Sequence, residues 1–281
     1  MTENGTRLPH AAAVMDLSGF GRCSLTVALP VLSAMGVQTS CMPTAVLSTH
    51  TGGFIGYTFR DFTEDMDAFS AHWAQEKLCF DALYVGYLGS PEQIGLVRRF
   101  VSRFKTPDNL FLLDPVMGDK GKLYSRFDDE MVRGIRSLVG LSTLTVPNMT
   151  EGAFLTGMPY RDGCHEESYL RDMLLALREL GAKQVLLTGV HPTENTVGAA
   201  WLEGDTLRMY APEMVPAHYD GTGDVFASVL LGALLRGCGL EKSAALAADF
   251  TRLCIADTLA AGGSTHHGVQ FEKHLWKLGN L

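Results

Sequence analysis

The sequence predicts an α/β protein built on a mostly parallel sheet with helices on both faces and an antiparallel hairpin at one edge. Three observations lead there. Short apolar runs alternate with stretches of helical periodicity along most of the chain, as in repeated βα units. Several runs end at polar, glycine-rich or proline-containing segments, where a buried strand would stop. Late in the chain, Glu203-Gly204-Asp205 joins two runs that break the alternation, and these read as the hairpin.

In order, residues 11–15 read as the first strand, 25–35 as a helix that Pro30 should kink, and 38–47 as a second strand region. Residues 63–77 read as a helix, with Glu64, Asp65 and Asp67 near its positive end. Strand 83–87, helix 91–104 and strand 110–113 follow. A short strand over 143–148 stops at Pro147, and Glu151 opens a helical stretch over 151–155. Helix 166–180 ends at Gly181, a C-cap residue, before strand 185–188. The hairpin strands are 196–202 and 206–214, and helices over 225–235 and 241–259 close the pattern. There is no repeat, low-complexity segment or long linker, so one domain over 1–281 is expected.

The chain has 281 residues, 46% of them hydrophobic, enough for a large core, and a net charge of −8. No run of Lys and Arg is present, which argues against nucleic acid and anionic membranes as partners. Cys23, Cys41, Cys79, Cys164, Cys238 and Cys254 are scattered, without Cys-x-x-Cys, so reduced core residues are expected rather than disulfides or zinc ligands. Residues 1–10 are polar, without a signal-peptide core. The longest apolar run, 225–235, is too short to span a bilayer. A cytoplasmic protein follows as the expectation.

Gly221-Thr222-Gly223-Asp224 stands at the mouth of the apolar helix. Two glycines and a helix N-terminus turn backbone N–H groups toward one point, a site for an anion such as phosphate. Asp224 is then either a helix cap or a base that takes a proton from an attacking hydroxyl. Asp114-Pro115 ends an apolar strand, and Asp119 follows in a glycine-rich loop. Strand ends of this kind hold ligands in parallel sheets, and two carboxylates there suit Mg²⁺. The plainer reading is a turn.

Two further segments fall at predicted strand ends. Asp16-Leu17-Ser18-Gly19-Phe20-Gly21 is either a ligand loop or a simple βα turn. Ser48-Thr49-His50-Thr51-Gly52-Gly53 gathers hydroxyls and an imidazole. Thr188-Gly189 ends another strand and would meet nucleotide phosphates. Tyr87 could stack on a flat ring or pack in the core. His266-His267 lacks a third metal ligand nearby in sequence and reads as surface.

Taken together, these residues resemble the ribokinase superfamily, and within it the pyridoxal kinase group. The marks are Gly221-Thr222-Gly223-Asp224, then Asp114-Pro115-Val116-Met117-Gly118-Asp119 with Tyr124 downstream, and Pro147-Asn148-Met149-Thr150-Glu151. The resemblance spans about residues 11–260. It departs at Val146, which stands where the family has threonine and removes a hydroxyl.

The resemblance implies a ribokinase-like three-layer αβα sandwich and a homodimer. It implies ATP-dependent phosphorylation of the 5′-hydroxymethyl group of a vitamin B6 aldehyde, alcohol or amine. Asp224 would be the base, with Gly221, Thr222 and Gly223 as anion hole. Ser18, His50, Thr51 and Tyr87 would hold the acceptor. Asp114, Tyr124, Asn148, Glu151, Thr188 and Gly189 would face ATP, with Asp114, Asp119 and Glu151 organising Mg²⁺ and K⁺ as an accessory cation. The chain lacks the Gly-x-x-x-x-Gly-Lys-Ser/Thr of P-loop enzymes.

Two other functions fit the same residues. The loop at 16–21 also resembles that of hydroxymethylpyrimidine kinases, although those enzymes often carry cysteine at the Asp224 position and lack the Gly118-Asp119 pair. A non-catalytic vitamer or nucleotide sensor is the alternative of a different class, and an intact Asp224 argues against it.

Overall fold

Side-chain alternation along the first strand decides the layers. In β1 (His10–Ser18), Ala11, Ala13 and Met15 belong to one core, and Ala12 and Val14 to the other. The first core is completed by α1 (Leu25–Ala34), α7 (Thr222–Leu235) and α8 (Leu240–Ala260). The second is completed by α3 (Pro91–Phe104), α4 (Asp129–Val139), α5 (Met149–Thr156) and α6 (Glu167–Glu179), with Met66 of α2 (Thr63–Gln75). The result is a three-layer αβα sandwich, seen in a computed structural model that describes residues 7–280. The first six residues of the polar start lie outside that description.

The other strands are β2 (Gln38–Leu47), β3 (Phe59–Asp61), β4 (Ala82–Val85), β5 (Leu110–Leu113), β6 (Gly118–Asp119), β7 (Lys122–Leu123), β8 (Leu144–Thr145), β9 (Gln184–Val190), β10 (Gly198–Glu203) and β11 (Thr206–Tyr210). Eight of them join β1 in a nine-stranded main sheet, ordered β11-β10-β9-β8-β5-β4-β1-β2-β3. The strands from β9 to β2 run parallel. Buried on both faces, β4 and β5 are apolar throughout, as a central parallel strand requires. The β10–β11 hairpin is antiparallel, as expected from sequence.

The structure adds three features. β3 pairs antiparallel with β2 and gives the sheet a second antiparallel edge. β6 and β7 form a two-stranded ribbon just after Asp114. α4 is capped by Asp128, whose side chain accepts the Met131 N–H, and buries Met131, Val132, Ile135, Leu138 and Val139.

Some expected boundaries move. α1 runs through Pro30 without ending there. β11 stops at Tyr210, ahead of Pro212. β9 continues past Thr188 and Gly189 to Val190. All six cysteines are free; Cys79 and Cys164 are exposed rather than in the core. No helix among the described residues is long and apolar enough to cross a membrane.

Candidate active site

β1 sits between β2 and β4, so successive connections leave it in opposite directions. Such a switch point opens a crevice beyond the carboxyl ends of the strands. A cleft of about 860 Å³ lies there. Its wall includes Asp16 from β1, His50 and Thr51 after β2, Tyr87 after β4, Asp114 after β5, Thr188 and Gly189 of β9, and the 221–224 segment. The chain thus gathers residues more than 200 positions apart by ending parallel strands on one rim.

Glycine shapes the helix start. α7 begins at Thr222 with Gly221 as N-cap, at φ 75°. A Cβ at Gly221 would collide with the Arg22 carbonyl oxygen, whereas one at Gly223 would meet nothing within 4 Å. Glycine is therefore required at 221 by both backbone angle and space. Asp224 lies in the first turn, inside the helix, and makes no capping bond. Of the two readings left open by the sequence, the cap is removed.

Asp224 is half-buried on the cleft wall, and desolvation there pushes its carboxyl up to about 7. The Ser24 backbone N–H pulls it down, and the Asp16 charge adds to the rise. Burial also raises Asp114 well above the usual range, helped by Glu151 and Asp224, and lifts Glu151 to about 8. Among the described residues, no lysine or arginine forms an ion pair with any of these three. An uncompensated group of buried carboxyls suits an incoming cation. No three acidic, His or Cys side chains among the described residues are grouped to hold a metal by themselves. A divalent ion would thus need ligand oxygens as well.

The third motif holds the second. Asn148 caps α5 by accepting the Glu151 N–H at 2.9 Å, and Glu151 returns a bond to the Asn148 N–H at 2.8 Å. The other Glu151 oxygen accepts the Met117 N–H at 3.2 Å. Asn148 Nδ2 donates to the Gly118 carbonyl at 2.9 Å, and the Gly121 N–H donates to Thr150 Oγ1 at 2.9 Å. Both ends of the Asn148 side chain are therefore spent on structure, the oxygen capping α5 and the amide nitrogen holding the β6–β7 ribbon. Asp119, at its tip, faces His218 at 3.5 Å. Tyr124 lies on the cleft wall, half open to solvent. Val146 is buried on the same wall.

On the opposite side, His50 is locked. Its Nδ1 accepts the Gly52 N–H at 3.1 Å, so its Nε2 donates to the His266 carbonyl at 2.6 Å. Its ring edge meets Phe54 at 5.0 Å. His266 bonds Asp220 at 3.2 Å, and His267 stacks on Phe54. The His266-His267 pair is exposed, as read from sequence, yet it also braces this loop. Tyr87 packs against Phe127, and burial raises its hydroxyl to about 12. Ser18 is fully buried, donates to Asp16 at 3.0 Å, and is absent from the cleft wall. Asp16 is the residue that sequence reasoning passed over: it is on the wall in its place.

These features define a small-molecule kinase of the ribokinase-like superfamily. The phosphomethylpyrimidine kinase family profile matches residues 28–270, and the chain belongs to that family. A hydroxymethylpyrimidine/phosphomethylpyrimidine kinase of Bacillus subtilis is 30% identical over 80% of this chain and 82% of its own. A pyridoxine/pyridoxal/pyridoxamine kinase of Bordetella avium is 27% identical over 86% of this chain and 83% of its own. Among solved structures, pyridoxal kinase from Lactobacillus plantarum superposes with a TM-score of 0.89, at 33% identity, covering 97% of each chain. A Bacteroides thetaiotaomicron protein assigned to the phosphomethylpyrimidine kinases, crystallised with pyridoxal, has a TM-score of 0.87. It is 38% identical, and the match covers 97% of this chain and 96% of that one.

Proposed function

We propose that this kinase phosphorylates the 5′-hydroxymethyl group of a B6 vitamer, as one ribokinase-like domain over 1–281. The observation that carries the reading is Asp224, a half-buried carboxyl on the cleft wall, raised to about 7 in the first turn of α7. A base poised near neutrality can accept the proton of an attacking hydroxyl. The N–H groups of Gly221, Thr222 and Gly223 then face the charge that develops on the transferred phosphoryl group. His50, Thr51 and Tyr87 border the acceptor. Asp114, Tyr124, Thr188 and Gly189 border ATP, with Asn148 acting through the ribbon it holds.

Asp114, Asp119 and Glu151 would hold Mg²⁺ together with nucleotide oxygens, and the ion would supply positive charge against the phosphate. K⁺ is the proposed accessory cation, and the enzyme is read as cytoplasmic and homodimeric. The Bacteroides protein with pyridoxal bound and the intact Gly118-Asp119 pair support a B6 substrate. The Bacillus relative favours hydroxymethylpyrimidine as the second reading. A coupled ADP-release assay across pyridoxal, pyridoxine, pyridoxamine, hydroxymethylpyrimidine and ribose tests the choice. Turnover confined to the pyrimidine would reject the B6 reading, and no turnover with any alcohol would favour a sensor.

A further inference from the structure

We propose that Asp16 is the specificity-determining residue of the acceptor site and hydrogen-bonds the ring nitrogen of a heteroaromatic alcohol. The inference rests on the kinase reading above but not on which heterocycle is the substrate.

The backbone builds this position. β1 and β2 pair in register as far as Met15 with Pro43, and pairing resumes at Leu17 with Val46. Asp16 alone therefore stands opposite Thr44 and Ala45, an irregularity of the kind that re-aims a side chain beside an active site. Thr44 ties the same point to the segment that follows β4, since its hydroxyl donates to the Tyr87 carbonyl at 2.9 Å.

The chemistry of the pocket singles out Asp16. It is 5% exposed and lies on the cleft wall, while Ser18 is withdrawn behind it and donates to it. The Ser24 hydroxyl also turns toward it. No lysine or arginine among the described residues pairs with it. Two hydroxyls do not neutralise a buried carboxyl that lacks a cation, and a proton or a further donor from a ligand would stabilise it. Burial does raise its pKa, with the two serine hydroxyls opposing. A basic ring nitrogen satisfies both conditions, because one proton can sit between nitrogen and carboxyl whichever group formally holds it. Asp16 shares the cleft wall with His50, Tyr87 and Asp224. A ring held at Asp16 would thus lie among the residues that border the acceptor, with its hydroxymethyl arm free to reach Asp224.

Acceptor affinity, measured by calorimetry with Mg²⁺ and a non-hydrolysable ATP analogue, tests this. The ligands are pyridoxine and its analogue with CH in place of the ring nitrogen, then hydroxymethylpyrimidine and its corresponding CH analogue. The proteins are native, Asp16→Asn and Asp16→Ala, each checked for a cooperative thermal transition. The native enzyme should favour the ring nitrogen by about 10- to 100-fold, the range of a hydrogen bond to a charged group. Asp16→Ala should bring that ratio to within about twofold, and Asp16→Asn, which cannot accept the proton, should give an intermediate value. If Asp16→Ala does not fold, the drop in Asp16→Asn decides. Equal weakening of both members of a pair, or an unchanged ratio in the variants, would overturn the role of Asp16. Native binding of only the pyrimidine pair, with the Asp16 dependence intact, would instead move the substrate and leave Asp16 in place.

Discussion

Asn148 and Glu151 cap the same helix reciprocally, each accepting the other's backbone N–H at 2.9 and 2.8 Å, while Glu151 also accepts the Met117 N–H. Glu151→Ala leaves the buried N–H of Met117 without an acceptor and removes half of the capping box. The expected loss is about 1–3 kcal/mol of stability, measured by urea unfolding. Because Met117 leads into the β6–β7 ribbon, KM for ATP should rise in the same variant. A variant as stable as the native protein would contradict the clamp.

The two glycines of the helix start should respond differently. Gly221→Ala meets both a positive φ and the Arg22 carbonyl, so it should destabilise the protein and remove most activity. Gly223→Ala finds open space and should fold normally. Thermal melts and turnover of the two variants, compared side by side, check this. Equal effects would mean that backbone shape at 221 is not what builds the cradle.

Asp224 should make the protein less stable where it is ionised. Its folded pKa, about 7, lies above the usual carboxylate value. The folded state therefore holds more protons than the unfolded chain between about pH 4 and pH 7, and its stability falls as pH rises through that window. Asp224→Asn should thus raise Tm relative to native at pH 8, with the advantage shrinking at pH 5. The same variant should lower kcat by about 10²–10⁴-fold with modest change in ATP affinity. A fully active Asn variant would end the role of Asp224 as base.

Assembly can be checked directly. Ile55 is 99% exposed and Phe20, which packs on Phe54 beside His50, is 49% exposed, and covering such side chains would favour association. Sedimentation equilibrium at micromolar concentration should show a dimer, and a clean monomer would remove that proposal.

Much of this arrangement could be read from sequence because it rests on local rules. An apolar run ending at Asp114-Pro115 marks a strand end, and Gly221-Thr222-Gly223-Asp224 before an apolar helix marks a cradle. Other features depend on contacts between distant segments. β3 has only three residues and is defined by its pairing with β2, and the β6–β7 ribbon exists because Asn148 and Thr150 hold it. α4 was not read from sequence, although Asp128 before a periodic apolar run is a local signal for it. Asp16 was not distinguishable from Ser18, because the two are two positions apart on one strand and only the folded cleft shows that Asp16 lines it while Ser18 bonds to it from behind. The locking of His50 by the His266 carbonyl joins residues 216 positions apart.

The central claim, a kinase whose acceptor is a B6 vitamer, is tested most directly by competition. Equal concentrations of pyridoxal and hydroxymethylpyrimidine are mixed with enzyme, Mg²⁺ and a limiting amount of ATP, and the two phosphorylated products are quantified. Their initial ratio is the ratio of kcat/KM values. Pyridoxal 5′-phosphate should dominate the products. Equal amounts, or an excess of the pyrimidine phosphate, would contradict the claim.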